Sequence, residues 1–312
     1  MTRWVRLGLI TPSATLLVLL AGLIIWHYPF ATDDPIRRED AVRSFYDLSY
    51  SGSSTAVKEN ELTRQAASAG VSYDIRGQVQ RFVDRFGLHD ASVLDVGSGT
   101  GYLQDVVTNY TGLDISRAVS RHYHKRFVAG TATAMPFHDN EFDAVWSIWA
   151  LEHIPNPEAA LREIRRVVKP GGLLFLHPAW DCKPWAADGY EARPFSDFGL
   201  GGKLIKASIP LREGSAYTFI TTVPNRILRR MFSGSEPTRL HYRRLEPNFT
   251  EYWQADADAV NSLDPMEVAM WFESRGDTCL GCSEGYWRYP RAFGPLIIRV
   301  NKRLQANQKK GD

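Results

Sequence analysis

The stretch "VLDVGSGTGYLQ", Val93 to Gln104, carries a short apolar strand into three glycines spaced two apart. Gly97, Gly99 and Gly101, with Ser98 between the first two, allow positive φ and close backbone approach, so the loop can wrap a ligand at the end of Val93 to Val96. A loop built for a dinucleotide pyrophosphate needs glycine at its first, third and sixth places, and the sixth place here is Tyr102. Asp95 argues against phosphate as well. Its carboxylate is expected at the mouth of the loop, where it repels a pyrophosphate and attracts a cation.

In "NYTGLDIS" a second apolar strand ends at Asp114, nineteen residues after Asp95, the distance at which an acidic residue can accept both hydroxyls of a ribose. A nucleoside carrying an ammonium and a sulfonium but no phosphate meets both constraints. Here the chain resembles the class I S-adenosylmethionine-dependent methyltransferases. The resemblance continues through "GTATAMPFHDNEFDAVWSIWALEHIPNPEAALREIRRVVKPGGLLFL", Gly130 to Leu176. It covers about Ser72 to Leu176 closely and the remainder of the catalytic part loosely.

The resemblance implies S-adenosyl-L-methionine as methyl donor and an α/β fold, a doubly wound, seven-stranded, mostly parallel Rossmann-like sheet. It assigns donor contacts to Asp95, Gly97, Ser98, Gly99, Gly101 and Asp114, an apolar adenine wall to Ile115, and a backbone carbonyl near the methionine end to Ser147. One position departs from the family. Relatives commonly place an aspartate after the glycine of "GTATAMPF" to accept from the adenine amine, and here the residue is Thr131. A hydroxyl accepts more weakly than a carboxylate, so a backbone amide near Ala132 is the other candidate. An oxidoreductase using NAD is disfavoured by Tyr102 and Asp95. A non-catalytic donor-binding scaffold is the competing reading of another class, and Thr131 is its one support.

Strands are expected near Val93 to Val96, Gly112 to Ile115, Arg126 to Val128, Phe142 to Ser147 and Leu173 to His177, with helices alternating between them. Apolar spacing in "YDIRGQVQRFVDRFGL" predicts a helix before the first strand. Asn156 is the expected N-cap, and Pro157 the first residue, of a helix running to Val168 and stopped by "KPGG". "DPMEVAMWFESRG" reads as a further helix and "GPLIIRVNK" as a late strand, which the resemblance makes antiparallel.

Of 312 residues, 44% are hydrophobic and 23% charged, enough for one large core, and a formal net charge of +2 gives no argument for nucleic acid. Leu7 to Thr32 passes twenty-six residues without a charge, the length of a bilayer-spanning helix. The expected organisation is therefore a transmembrane anchor at 1–32 and a helical lead-in at 33–72. A donor-binding core at 73–182, an acceptor-side insertion or cap at 183–250, a C-terminal part of the catalytic fold at 251–304 and a polar tail at 305–312 follow. Arg3 and Arg6 on one side nearly balance Arg37, Arg38 and Arg43 on the other. The resemblance places the catalytic part on the cytoplasmic side of a single-pass membrane protein, at the inner membrane in a bacterium.

Basic residues dominate Lys203 to Arg244, where only Glu213 and Glu236 oppose them, which suggests a cationic lid or a solvated basic face. Cys182, Cys279 and Cys282 lack the four-ligand pattern of a metal site and read as unpaired. Candidate bases are His153 with Glu152 beside it, and their rivals His177 and Asp181, at the ends of the fourth and fifth strands; Glu152 and His153 serving only to hold their loop is the competing reading. The expected activity is methyl transfer to a small or lipid-linked acceptor. A glycan or polysaccharide intermediate is favoured over an isoprenoid quinone or other lipid, and no obligate protein partner is inferable.

Overall fold

The computed structural model describes residues 12–52, 61–187, 189–233, 237–249, 253–254, 256–282 and 294–302. Its strands are β1 (Ser92–Val96), β2 (Asn109–Asp114), β3 (Arg126–Ala129), β4 (Phe142–Ile148), β5 (Val168–His177), β6 (Arg243–Arg244), β7 (Asn261–Ser262), β8 (Thr278–Leu280) and β9 (Leu296–Arg299). Seven of them form one sheet in the order β3-β2-β1-β4-β5-β9-β8, and β6 pairs with β7 apart from it. The pairs from β3 to β5 are parallel, while β9 runs antiparallel to both of its neighbours. The order reverses between β1 and β4, the switch point at which such sheets open a crevice.

Side-chain alternation sorts the core onto the two faces of this sheet. Leu94, Val96, Val145, Leu174 and Leu176 pack with Leu161 and Ile164 of α5 (Pro157–Val167) and with Trp271 and Phe272 of α9 (Pro265–Glu273). Val93, Trp146 and Phe175 pack on the opposite face with Val79, Phe82 and Val83 of α4 (Ile75–Phe86). Helices do not alternate with every strand. Residues 97–108 between β1 and β2 form turns, and Arg117–His122 between β2 and β3 is a 3-10 turn. Three glycines at positive φ occupy the first part of that twelve-residue connection, leaving too little chain for a helix of useful length.

The expected N-cap of α5 also differs. Asn156 makes no cap bond. Asp33 does this work from far upstream, its two carboxylate oxygens accepting from Glu158 N at 3.2 Å and Ala159 N at 2.8 Å. Asn156 instead accepts from Asp34 N and donates to Arg37 O, tying down the same upstream segment. The Arg37 guanidinium reaches Pro155 O, Asn261 Oδ1 and Val260 O at 2.7 to 3.0 Å.

The expected membrane span is corrected. Within Leu7 to Thr32, residues 7–11 lie outside the described residues, and the helix observed is α1 (Pro12–Trp26), fifteen residues long. At 1.5 Å per residue it covers about 22 Å, short of the ~30 Å hydrocarbon core. No helix among the described residues is long and apolar enough to cross a membrane. Pro12 marks its first turn, and after Pro29 the chain is extended, with Ala31 bridging to Tyr242. The single-pass topology with a cytoplasm-facing catalytic part falls with the span. α1 packs along α8 (Ser215–Phe232), where Asn225 Nδ2 donates to Ile24 O at 2.9 Å and Tyr217 meets His27.

The basic segment is redistributed too. Arg226 pairs with Asp264 at 2.8 Å and Arg229 with Glu267 at 2.7 Å, both guanidinium groups buried, and Arg244 turns to Thr32 O and Asp34. Cys279 and Cys282 form a disulfide rather than standing unpaired. β8 ends at Leu280, and Gly281, at φ 97°, turns the chain so that the two sulfurs meet.

Candidate active site

A cleft opens at the C-terminal ends of β1, β2 and β4. Its floor is Gly97, Leu113 and Asp114, its sides are Ile115, Gly130, Thr131 and Ala132, and its far wall is Trp149 to Pro155 without Leu151 and Glu152. The roof is α2 (Asp40–Tyr50), which contributes Val42, Tyr46 and Tyr50, with Glu39 just ahead of it. α2 is pinned there by Asp47 Oδ1, which accepts from Ser116 Oγ at 2.7 Å, and by Tyr46 OH, which donates to Asp258 Oδ2 at 2.6 Å.

The glycine loop is built by backbone rather than side chains. Gly97, Gly99 and Gly101 stand at φ 73°, 50° and 73°. A Cβ on Gly97 would lie 2.2 Å from the Cβ of Ala150, so only glycine lets the β4 loop close on β1. Gly97 N and Ser98 N donate to Leu113 O, Gly99 N donates to Asp114 Oδ2 at 2.8 Å, and Ser98 Oγ bonds to Tyr123 OH at 2.7 Å. Asp114 also accepts from Ser116 N at 2.9 Å, and burial pushes its carboxyl up to about 6.

The structure brings Gly97, Asp114, Ile115, Thr131, Ala132 and His153 to one cleft. It does not bring Asp95 there. Asp95 follows Val93 onto the α4 face of the sheet, 4% exposed, where Tyr110 OH donates to Oδ2 at 2.8 Å. Burial pushes this carboxyl up to about 7. Ser147 is fully buried and donates to Val96 O at 3.0 Å, fastening β4 to β1. His177 is buried at the end of β5, where its carbonyl accepts from Trp149 N, and it lines neither this cleft nor the second cavity described below.

His153 and Glu152 form part of a buried acidic network. The His153 ring lies 3.7 Å from Glu152 Oε1 and 3.4 Å from Asp258 Oδ2. Burial opposes its charge, but Asp258, Glu152 and Asp256 outweigh that and raise its pKa above the ordinary value. Glu152 is fully buried, accepts from Ala179 N at 3.0 Å, and is pushed up to about 7 by desolvation. A buried oxygen of Glu152 has no hydrogen-bond partner among the described residues.

Sequence reasoning missed Glu39, Tyr46 and Asp258. Glu39 stands where the family resemblance leaves a gap: Thr131 Oγ1 donates to its Oε2, and Thr133 Oγ1 donates to its Oε1 at 2.8 Å. The cleft thus acquires the carboxylate that Thr131 does not supply, from a residue 92 positions upstream. "TATA" places the two hydroxyls two residues apart, but no local pattern ties them to a charged upstream segment.

A family profile described as a methyltransferase domain matches residues 94–176, which run from β1 through β5 and include the cleft floor. The chain is similar to the ubiquinone/menaquinone biosynthesis C-methyltransferase UbiE of Hahella chejuensis, 30% identical over 178 residues, 47% of this chain and 72% of that protein. It is similar to malonyl-[acyl-carrier protein] O-methyltransferase 1 of Coxiella burnetii, 32% identical over 38% of this chain and 48% of that protein, so it spans under half of that relative's length. Among solved structures, the methyltransferase CalH in complex with SAH aligns at 21% identity and a TM-score of 0.29, over 32% of this chain and 35% of that one. With the matched segment falling on the glycine loop, Asp114 and the β4 wall, the chain belongs to the class I S-adenosylmethionine-dependent methyltransferases.

Proposed function

We propose that the cleft under α2 holds S-adenosylmethionine with its ribose at Asp114, its adenine between Ile115 and Ala132, and its adenine amine at Glu39. The residues present fit that ligand. Asp114 has acceptor capacity beyond its two backbone donors, Ile115 and Ala132 are apolar, and Glu39 is a carboxylate held by two hydroxyls at the cleft rim. When bound, the donor supplies an activated methyl on a positively charged sulfur, with a good leaving group already in place. The protein's share is then to position the acceptor and exclude water, and α2 covers the cleft for that purpose.

The acceptor is proposed to be a small organic molecule that meets the donor beside Trp149 and His153. One relative supports this class, being named for C-methylation in ubiquinone/menaquinone biosynthesis, while the other is named as a malonyl-[acyl-carrier protein] O-methyltransferase. Neither name favours the glycan acceptor expected from the sequence. The three acidic neighbours of His153 raise its pKa, and only its unprotonated form can take a proton from an acceptor. The single observation that carries the reading is the convergence of Asp114, Glu39 and His153 on one cleft.

Calorimetric titration with S-adenosylmethionine, followed by turnover of labelled donor against a panel of quinols, phenols and carboxylic acids, tests it. Donor binding that weakens at least tenfold in Asp114→Asn, on the scale of a lost charge-assisted hydrogen bond, is expected. Unchanged binding in that variant would remove the cleft from consideration. Transfer whose acid limb lies above pH 6.5 and moves in Asp258→Asn is expected if His153 handles the proton.

A further inference from the structure

A second cavity lies beyond the end of β5, between α8, the segment from Asp181 to Trp185 and β6, with His27 closing one side. It is electrostatically unlike the donor cleft. Lys183, Arg212, Arg226, Arg229 and Arg243 line it against Asp181, Asp264 and Glu267, an excess of two positive charges. His27 and His241 also line it, and burial holds both below the usual imidazole range.

The cations are not equivalent. Arg226 and Arg229 are paired with Asp264 and Glu267. Lys183, Arg212 and Arg243 form no ion pair among the described residues, although all three are only partly exposed. Desolvation pulls the Arg243 guanidinium below its ordinary pKa, with Asp181 the carboxylate that faces it. Asp181 is itself pushed up to about 6 by burial and by Asp264, and pulled back by Lys183, Arg226 and Arg243. Arg212 stacks over the Trp185 ring at 4.3 Å, which fixes its plane and leaves its edge donors available. Trp185 is 5% exposed, and its indole N–H, buried at this cavity, has no hydrogen-bond partner among the described residues.

Half-buried cations that outnumber their carboxylates and form no ion pair among the described residues, together with an indole N–H left unpartnered there, are costly in a protein alone and are resolved by an anion. An excess of two charges and donors arriving from Lys183, Arg212, Arg243 and Trp185 suit a tetrahedral dianion better than a planar carboxylate, which one arginine satisfies from one side. The cavity also adjoins the donor cleft. Tyr242 lines the cavity, and its hydroxyl lies 3.5 Å from the carbonyl of Pro155, a residue of the cleft wall.

We propose that this cavity recognises a phosphate group, and that the group is carried as a phosphate ester by the methyl acceptor. The acceptor half of the proposal rests on the donor assignment above; the phosphate half does not.

The test uses the full chain. Inorganic phosphate and phenyl phosphate are titrated side by side by calorimetry, with acetate as the planar control, and S-adenosylmethionine is titrated into every variant. Phenyl phosphate is expected to bind more tightly than inorganic phosphate, and acetate not measurably. Arg243→Gln should weaken phosphate binding by roughly tenfold or more, the scale of a lost bond to a charged group, and leave the donor dissociation constant unchanged. Trp185→Phe keeps the ring under Arg212 and removes only the N–H, so a smaller loss is expected with the fold intact. No phosphate heat in wild type, or acetate binding as tightly, overturns the phosphate site. Equal binding of phosphate and its ester overturns the acceptor half. Loss of donor binding in wild type would instead strike the donor assignment while leaving the phosphate result standing.

Discussion

Replacing Glu39 by glutamine is the most direct probe of how this chain manages without a carboxylate after Gly130. The side chain is partly exposed at the cleft rim, and its oxygens accept from Thr131 Oγ1 and Thr133 Oγ1. Glutamine keeps the volume and one acceptor but loses the charge, and its amide nitrogen meets a hydroxyl that was donating. A hydrogen bond to a charged group contributes about 1.5 to 3 kcal/mol, and partial exposure argues for the lower end, so donor affinity should fall about tenfold. Stability should change little, because the hydroxyls can turn to water. The assay is calorimetry with two ligands: S-adenosylmethionine, and an analogue in which oxygen replaces the adenine amine. Wild type should prefer the amine, because a carboxylate accepts from N–H and repels a carbonyl. Glu39→Gln should lose most of that preference. If the variant discriminates between the two ligands as wild type does, Glu39 does not read the adenine edge.

Two further outcomes test the fold. Asp33→Ala removes the acceptors for Glu158 N and Ala159 N and should cost about 1 to 2 kcal/mol, lowering the melting temperature by a few degrees. Asp95, Asp114, Asp181 and Glu152 are all raised by burial, to about 7, 6, 6 and 7. Each therefore holds a proton when folded that the unfolded chain releases. Their contribution is full below about pH 4 and is lost as pH rises toward 7. His153, also raised, adds in the same direction. Ligand-free protein should melt at a higher temperature at pH 5.5 than at pH 7.5, and a flat or inverted profile in differential scanning calorimetry would contradict the burial of these carboxyls. Glu163, held down by Arg166, pulls the other way only below its ordinary value of 4.5. His27 and His241, both lowered by burial, oppose the trend as pH falls below about 6.5, so the expected difference is that of the four carboxyls and His153 less these two.

The sheet was legible because its signals are local. β1, β2, β4, α4, α5, α9 and β9 follow from apolar periodicity and from punctuation by Gly, Pro and Asp, within one or two residues for most ends, while the antiparallel direction of β9 followed from the family resemblance. Asp114 at the tip of β2 was readable from spacing alone. Residues 33–50 were not. "DDPIRRED" has the composition of a solvated connector, yet Asp33, Arg37 and Glu39 each find partners more than 90 residues away. Nothing within a sequence window distinguishes a charge that will meet water from one that will meet an orphan backbone group. The span at the N-terminus failed for a related reason: counting uncharged residues ignores the prolines that limit how much of the run can be one helix. Asp95 was misplaced because its sheet face was not considered. Two-residue alternation puts it with Val93, under α4.

The contacts of Arg37 also set a clock. Its partners Val260 O and Asn261 lie 223 and 224 residues downstream, and Tyr46 waits for Asp258. At about 5 to 20 residues per second, a ribosome needs roughly 10 to 45 s to make that much chain. For that interval the first-made strap can reach Ser116, Thr131 and Ala159 but lacks its anchors on residues 258–261, while β1, β2 and β4 are already available to pair. The parallel part of the sheet, β3 to β5, can form as it emerges, but the roof of the cleft closes fully only once the chain has reached residues 258–261. A full roof thus depends on translation past Asn261, which a chain truncated before Asp258 does not reach.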